Sequence, residues 1–349
     1  MLEGGVAVVS EVETNARGFE RPGGNQCREA DREGELMADE IKLHKPWMVA
    51  VWPGMGHVAI SAGYYLMAKL GMHMVAEFQA EELFDVEHVE VKHGLIRTGR
   101  LPRSRFFAWH DPEGRHDLIV FIGEAQPPRG KLSFCRRLIE FAKEMGVERV
   151  FTFASMATQM HPSHESRTFG AATDQTTLDE LTQLELTMLD DGHISGLNGV
   201  LLGVAAEAGL PGTCLLGEMP HIFAQLPFPK AALGVLEVFS TIAKIQLDLT
   251  ELAEQAVDVE QRLGELLSQV EHAMETQHQE PTEEEAFLGS DGPEESEEEA
   301  VSAKDRQRID RLFEESTRDR SKAYELKREL DRLGIYSEYE DRFLDLFKR

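Results

Sequence analysis

Cysteine is nearly absent: the 349 residues contain three, Cys27, Cys135 and Cys214. An odd count at wide spacing, with no C-x-x-C pair, excludes a disulfide framework and a zinc knuckle. The three read as small buried hydrophobes of a reducing, cytoplasmic protein. Positive charge is also short. Lys and Arg number 36 against 63 Asp and Glu, a net charge of −27. Phosphate affinity comes from clustered Lys and Arg, so this balance argues against a general nucleic-acid binder and against docking on anionic lipid. No apolar run reaches the length of about 18 residues that a membrane span needs. A nucleophile elbow G-x-S-x-G, a Walker P-loop and an H-E-x-x-H pair are all missing. Ser155 follows a strand pattern, but Phe153-Ala154-Ser155-Met156-Ala157 lacks the flanking glycines of an elbow.

What is present suffices for a sizeable core. Hydrophobic residues make up 42% of the chain, and the length suits one core of about 200–250 residues with appendages. Residues 1–36 have no helical or strand period and no basic-then-apolar leader, so they read as a disordered extension. Met37 stands just before the first structured pattern and is a candidate start. From 37 to 246 apolar runs alternate with amphipathic stretches. Strands are predicted at 47–52, 74–76, 106–109, 117–123, 150–154 and 213–216. Helices are predicted at 58–70, 131–145, 177–189, 198–208 and 230–246. This alternation implies an α/β core with a mostly parallel sheet and helices on both faces. The 84–116 region lacks helical period, and Val89-Glu90-Val91 alternates, so antiparallel β is expected there.

Beyond 246 the composition shifts. Leu252, Ala256, Val259, Leu263, Leu266, Leu267 and Val270 recur at helical spacing among many Glu, which predicts a long acidic amphipathic helix over 247–273. Residues 274–300 hold eleven Asp and Glu and no Lys or Arg, the pattern of a solvated disordered linker. The segment 301–349 mixes thirteen basic and twelve acidic residues around two apolar patches, one at Ile309, Leu312 and Phe313, the other at Leu326, Leu330 and Leu333. Two helices in so short a segment cannot bury much alone. They dock on the core, self-associate or bind a partner.

Three constellations could carry chemistry. The turn after the first strand reads Gly54-x-Gly56-x-x-Ala59 and opens a helix, with Glu77 at the end of the second strand. This fits a dinucleotide fingerprint, in which the glycines let the backbone approach a pyrophosphate at a helix N-terminus. A plain βα turn needs glycines too. Glu124 ends the most apolar strand, where open α/β sheets bind ligands; it could act as a base or ribose contact, or simply cap a proline-set turn. Gly192-His193-Ile194-Ser195-Gly196-Leu197-Asn198-Gly199 precedes a small-residue helix, so Asn198 and Gly199 could complete an anion pocket or pack that helix closely on the sheet. His161 and His164 flank Pro162, which opposes the single helical face a metal pair would need. No cofactor or metal is expected.

These pieces, in this order, resemble the proteasome assembly chaperone 2 family over about residues 45–270. The matching residues are Pro53-Gly54-Met55-Gly56, Val75-Ala76-Glu77, Gly123-Glu124-Ala125-Gln126-Pro127, His161-Pro162, Ile194-Ser195-Gly196-Leu197-Asn198-Gly199, Glu218-Met219-Pro220 and Pro227-x-Pro229-x-Ala231-Ala232. The resemblance implies an α/β sandwich shaped like nucleoside phosphorylases but without an established active site. It implies a protein partner, assembly-chaperone work and homo-oligomers. Some archaeal members carry a hydrophobic-Tyr-x tail that docks in proteasome pockets, whereas here Lys348 holds the penultimate place. The leading expectation is a non-enzymatic homo-oligomeric scaffold whose 274–349 tail recruits a partner and can be deleted without unfolding the core. The alternative is a nucleotide- or small-anion-binding enzyme or sensor using Gly54, Gly56, Glu77, Glu124, Asn198 and Gly199.

Overall fold

The computed structural model describes residues 42–86, 89–92, 94–184, 186–277 and 302–348. The expected extension at 1–36 and nearly all of the linker at 274–300 lie outside the described residues. The strands are β1 (Trp47–Val51), β2 (His73–Glu77), β3 (Val89–Lys92), β4 (Leu95–Thr98), β5 (Ser104–Trp109), β6 (Leu118–Gly123), β7 (Arg149–Thr158), β8 (Thr168–Ala172), β9 (Thr187–Met188) and β10 (Gly212–Pro220). The core helices are α1 (Val58–Lys69), α2 (Lys131–Glu144), α3 (Gln175–Gln183), α4 (Gly196–Glu207) and α5 (Pro229–Ala243). Then follow α6 (Thr250–Gln277), α7 (Ala303–Arg318), α8 (Ala323–Arg332) and α9 (Tyr336–Asp345).

Eight strands form one sheet in the order β2-β5-β6-β1-β7-β10-β8-β9. The sheet is mixed. The centre β6-β1-β7-β10 and the β8·β9 pair are parallel. β5, in the region where antiparallel β was expected, pairs antiparallel with β2 and β6. The antiparallel β10·β8 pair is the departure from the sequence expectation. The central strands are apolar on both sides because helices cover both faces. Alternate residues sort cleanly. Val49, Val51, Val120, Phe151 and Leu215 face α1 and α5, whereas Met48, Ala50, Ile119, Phe121 and Cys214 face α2 and α4. Cys135 and Cys214 are both buried, and burial pushes each thiol up to about 12.

Several elements depart from the sequence pattern for identifiable reasons. β8 reads Thr-Phe-Gly-Ala-Ala, too short and glycine-broken to show alternation, yet it is held antiparallel along β10. The helix expected at 177–189 stops at Gln183. Asp174 caps its start by accepting from the Thr177 backbone N–H at 2.9 Å, and Thr187–Met188 is then captured as a short strand by Phe169 and Gly170. β7 and β10 run on together from Val150↔Gly212 to Thr158↔Pro220, so Ser155 and Glu218 lie within strands. β3 and β4 make a separate hairpin.

The C-terminal segment forms three helices rather than two. They share the α1-side core: Ile309, Leu326, Leu330, Phe343 and Phe347 are essentially inaccessible. The backbone N–H of Met74 in β2 donates to the Phe347 carbonyl at 2.8 Å. A deletion of 274–349 is therefore not expected to leave the core intact, contrary to the sequence expectation.

Candidate functional site

β2 runs in the same direction as the central parallel strands, so Glu77, Gly54 and Glu124 all lie at the carboxyl end of the sheet. The first glycine turn is closed by its own chain. The Gly56 N–H donates to the Ala224 carbonyl at 2.8 Å, and the Phe228 N–H donates to the Gly56 carbonyl at 2.9 Å. Gly56 has φ +61°, and a Cβ there would lie 2.5 Å from Sδ of Met219. Gly54 is extended at φ −165° with open space around it. The positive φ and the close approach of Met219 explain the glycine at 56 without any ligand.

Glu77 and Glu124 are brought into one network by three arginines. Glu124 accepts from Arg105 Nη1 at 2.7 Å, from the Arg103 backbone N–H at 2.9 Å and from Arg100 Nη1 at 3.0 Å. Arg103 reaches Glu77 at 3.9 Å and Asp341 of α9 at 3.0 Å, and Arg100 pairs with Glu340. Glu124 thus orients basic side chains and pins the C-terminal helix to the sheet. The sequence reasoning missed Arg100, Arg103 and Arg105; their close spacing within an acidic chain was the available signal.

Asn198 and Gly199 take no part in that network. They start α4 on the opposite face of the sheet from Met219. The Leu197 N–H donates to Gln126 Oε1 at 3.1 Å, and Thr152 Oγ1 donates to the Asn198 carbonyl at 3.3 Å. A Cβ on Gly199 would fall 1.9 Å from the Ile194 carbonyl oxygen, so the residue lets the helix fold tightly onto its own loop.

A second polar centre lies at the ends of β7 and β10. Glu218 is 3% exposed. Its oxygens accept from Arg167 Nε and Nη2 and from Thr158 Oγ1, each at 2.8 Å. The Arg167 hydrogen bonds hold its carboxyl below the ordinary glutamate range, with Thr158 assisting against the cost of burial. Beside it is an open cleft of about 390 Å³ lined by Gln159, Met160 and His164. Lys230 Nζ straps the 158–167 loop by donating to the His164 carbonyl at 2.8 Å and to Glu260 at 2.7 Å. His161 and His164 are exposed on this loop, and His161 Nδ1 lies 2.7 Å from Ser163 Oγ. Among the described residues no group of three His, Cys, Asp or Glu side chains is arranged to hold a metal.

A depressed carboxyl contributes stability that is complete above the unfolded-state value of about 4.3 and is lost as pH falls through the lower folded-state value. Glu218→Gln is expected to cost about 1–2 kcal/mol at neutral pH, kept small because Arg167 is open to solvent. It should also flatten the loss of stability below about pH 5. Urea unfolding at several pH values checks this; parallel profiles for the two proteins would reject the role of this pair.

The architecture is a mixed α/β sheet flanked by helices and extended by a C-terminal helical region. Residues 48–267 match the model of the PAC2 family, and the chain belongs to that family. An uncharacterized protein of Methanocaldococcus jannaschii is 27% identical over 250 residues, 70% of this chain and 91% of that protein. The crystal structure of PbaB from Pyrococcus furiosus, an archaeal proteasome activator, has a TM-score of 0.57 at 25% identity, covering 66% of this chain and 96% of that one. A proteasome-assembly chaperone homologue of Mycobacterium tuberculosis shares the fold, with a TM-score of 0.55 at 21% identity over 63% of this chain and 94% of that one.

Proposed function

We propose that this chain is a non-enzymatic, cytoplasmic assembly scaffold that works as a homo-oligomer through contact surfaces rather than a reaction. The observation that carries the reading is the match over 48–267 to the PAC2 family, with an archaeal proteasome activator among the similar structures. The carboxyl end of the sheet supports it. The Gly56 amide, Glu124 and Glu218 are each engaged by groups of the chain itself.

The hairpin supports it as well. The β3–β4 register places Val89, Val91, Ile96 and Thr98 on one face. Val89, Val91 and Ile96 are 52%, 65% and 73% exposed. A two-stranded hairpin gains stability only when such a face is covered, and on this reading a second copy covers it. Native mass spectrometry of the gently purified protein tests the proposal. A defined oligomer carrying no small molecule is the expected result. A monomer, or a co-purifying mass of several hundred daltons lost on denaturation, would reject it. Val91→Lys with Ile96→Lys should leave stability within about 0.5 kcal/mol, as solvent-facing substitutions do, while lowering the copy number. Binding to purified proteasome α subunits then tests the partner.

A further inference from the structure

Arg167 is held along one edge and free along another. Its Nε and Nη2 both donate to Glu218 at 2.8 Å, and its Cζ lies 5.1 Å from the centre of the Phe169 ring. Among the described residues nothing accepts from its Nη1. The side chain is 61% exposed. A guanidinium carries its N–H donors in a rigid planar fork. The Nε–Nη2 edge is spent on Glu218, so the Nη1–Nη2 edge is left for a second acceptor. Because the buried Glu218 carboxylate and the Phe169 ring fix the plane of the fork, little side-chain freedom remains to be lost on binding.

Arg167 belongs to the wall of the open cleft beside β7 and β10, with Gln159, Met160 and His164. Glu165 also lines it, but is exposed, where water and salt screen its charge. Around the cleft the surface changes character. Segments 51–62, 151–164 and 219–230 hold no Asp or Glu, in a chain where 63 of 349 residues are acidic. The three are tied together at this end of the sheet. Ser155 Oγ donates to the Met55 carbonyl at 3.0 Å, the Gly56 N–H donates to the Ala224 carbonyl, and His221 Nδ1 lies 3.0 Å from the Thr158 carbonyl. Met55, Ile222 and Leu226 are exposed on them. A charge-poor surface that shows methionine, aliphatic side chains and an arginine has the composition of a protein contact.

We infer that this cleft docks the carboxyl end of a partner polypeptide. The terminal carboxylate pairs with the free edge of Arg167, and an apolar last side chain lies against Met160 and Ile222. Glu218 is a positioning residue, which holds the fork and touches no ligand. Three features select this occupant. One free edge takes one carboxylate in a bidentate pair. A run of carboxylates is repelled by a chain of net charge −27, whereas a single one placed on a local cation is not. An open cleft continuous with exposed apolar surface does not enclose a small molecule, as ligand pockets do. The inference rests on the reading of the chain as a scaffold that contacts other proteins.

The test uses the full chain and a library of labelled hexapeptides varied at the last positions, each made with a free carboxyl end and with an amide end. Fluorescence polarisation reads binding. Free-acid peptides with an apolar last residue are expected to bind, and their amides to bind at least about tenfold more weakly, the loss that follows removal of a charged hydrogen-bond partner. Arg167→Lys keeps a cation beside Glu218 but removes the second edge. It should bring the free-acid peptides down to the level of their amides and leave the amides unchanged, a ratio that a purely structural Arg167 would not move. Ile222→Ser, at a solvent-facing position, should erase the preference for an apolar last residue. The inference is overturned if no peptide binds, if acid and amide forms bind equally, or if Arg167→Lys leaves their ratio as it was. It is also overturned if acetate competes as well as a peptide does, or if amide-ended peptides with internal Asp or Glu bind as well as the free acids. An intact homo-oligomer that binds no peptide would reject this inference and leave the scaffold reading standing. A monomer that binds them would support the inference while rejecting the homo-oligomer.

Discussion

Phe343→Ala is expected to lower the stability of the whole described core by about 3–5 kcal/mol, the range for deleting a fully buried aromatic side chain. Phe343 is inaccessible to solvent, and its ring meets Tyr64, Tyr336 and Phe347 at 5.9, 5.6 and 5.6 Å. Phe347 in turn meets Phe107 of β5 at 6.1 Å. The cavity would therefore open between the C-terminal block and the sheet-bearing core, with few side chains free to collapse into it. A loss of this size is a large part of the about 5–15 kcal/mol that a domain holds in total. Denaturant unfolding followed at once by tryptophan fluorescence and far-ultraviolet dichroism checks it. Trp47 and Trp52 lie in or beside β1, so their signal reports the sheet rather than the helices. A single transition shifted for both probes is expected. Two transitions, with only the helical one displaced, would show the block to be an independent appendage.

Gly56→Val is expected to cost about 2–4 kcal/mol, part from forcing a β-branched residue into the left-handed region and part from displacing Met219. The Met219 side chain can move, which keeps the cost from being larger. Gly54→Ala is expected to change stability by less than about 0.5 kcal/mol, because the backbone there is extended and nothing lies within 4 Å of the added carbon. The pair separates a packing role from a ligand role. A dinucleotide site would make both glycines matter to ligand-induced thermal stabilisation and would let Gly56→Val fold normally. A packing role makes Gly56→Val unfold earlier with or without nucleotide. Thermal melts of both variants, with and without added nucleotide, decide between them. Normal folding of Gly56→Val with loss of nucleotide stabilisation would sink the packing account.

The glycine turn shows why a local motif underdetermines a site. G-x-G-x-x-A is read along the chain, but the group that fills the turn, Met219, comes from β10, more than a hundred and fifty residues away in sequence. The same holds for Glu124. Its position at the end of an apolar strand was legible, but the arginines that engage it come from β5 and the segment before it. Glu218 appeared in the sequence only as part of a family pattern. Its burial and its pairing with Arg167 depend on β8 lying against β10.

Sequence alone determined the α/β alternation, the buried central strands, the burial of Cys135 and Cys214 and the family, while Cys27 lies outside the described residues. These follow from local periodicity and from burial on both faces, which each segment records by itself. Antiparallel β over 84–116, where β5 lies, was legible in the sequence, but tertiary structure decided the antiparallel pairing of β8, because so short a strand takes its direction from the neighbour that supplies its hydrogen bonds. It also decided the fate of 302–348. Amphipathic helices advertise a face to be covered, but not what covers it, and here the answer lay in the outward tyrosines of α1 and the open edge of β2.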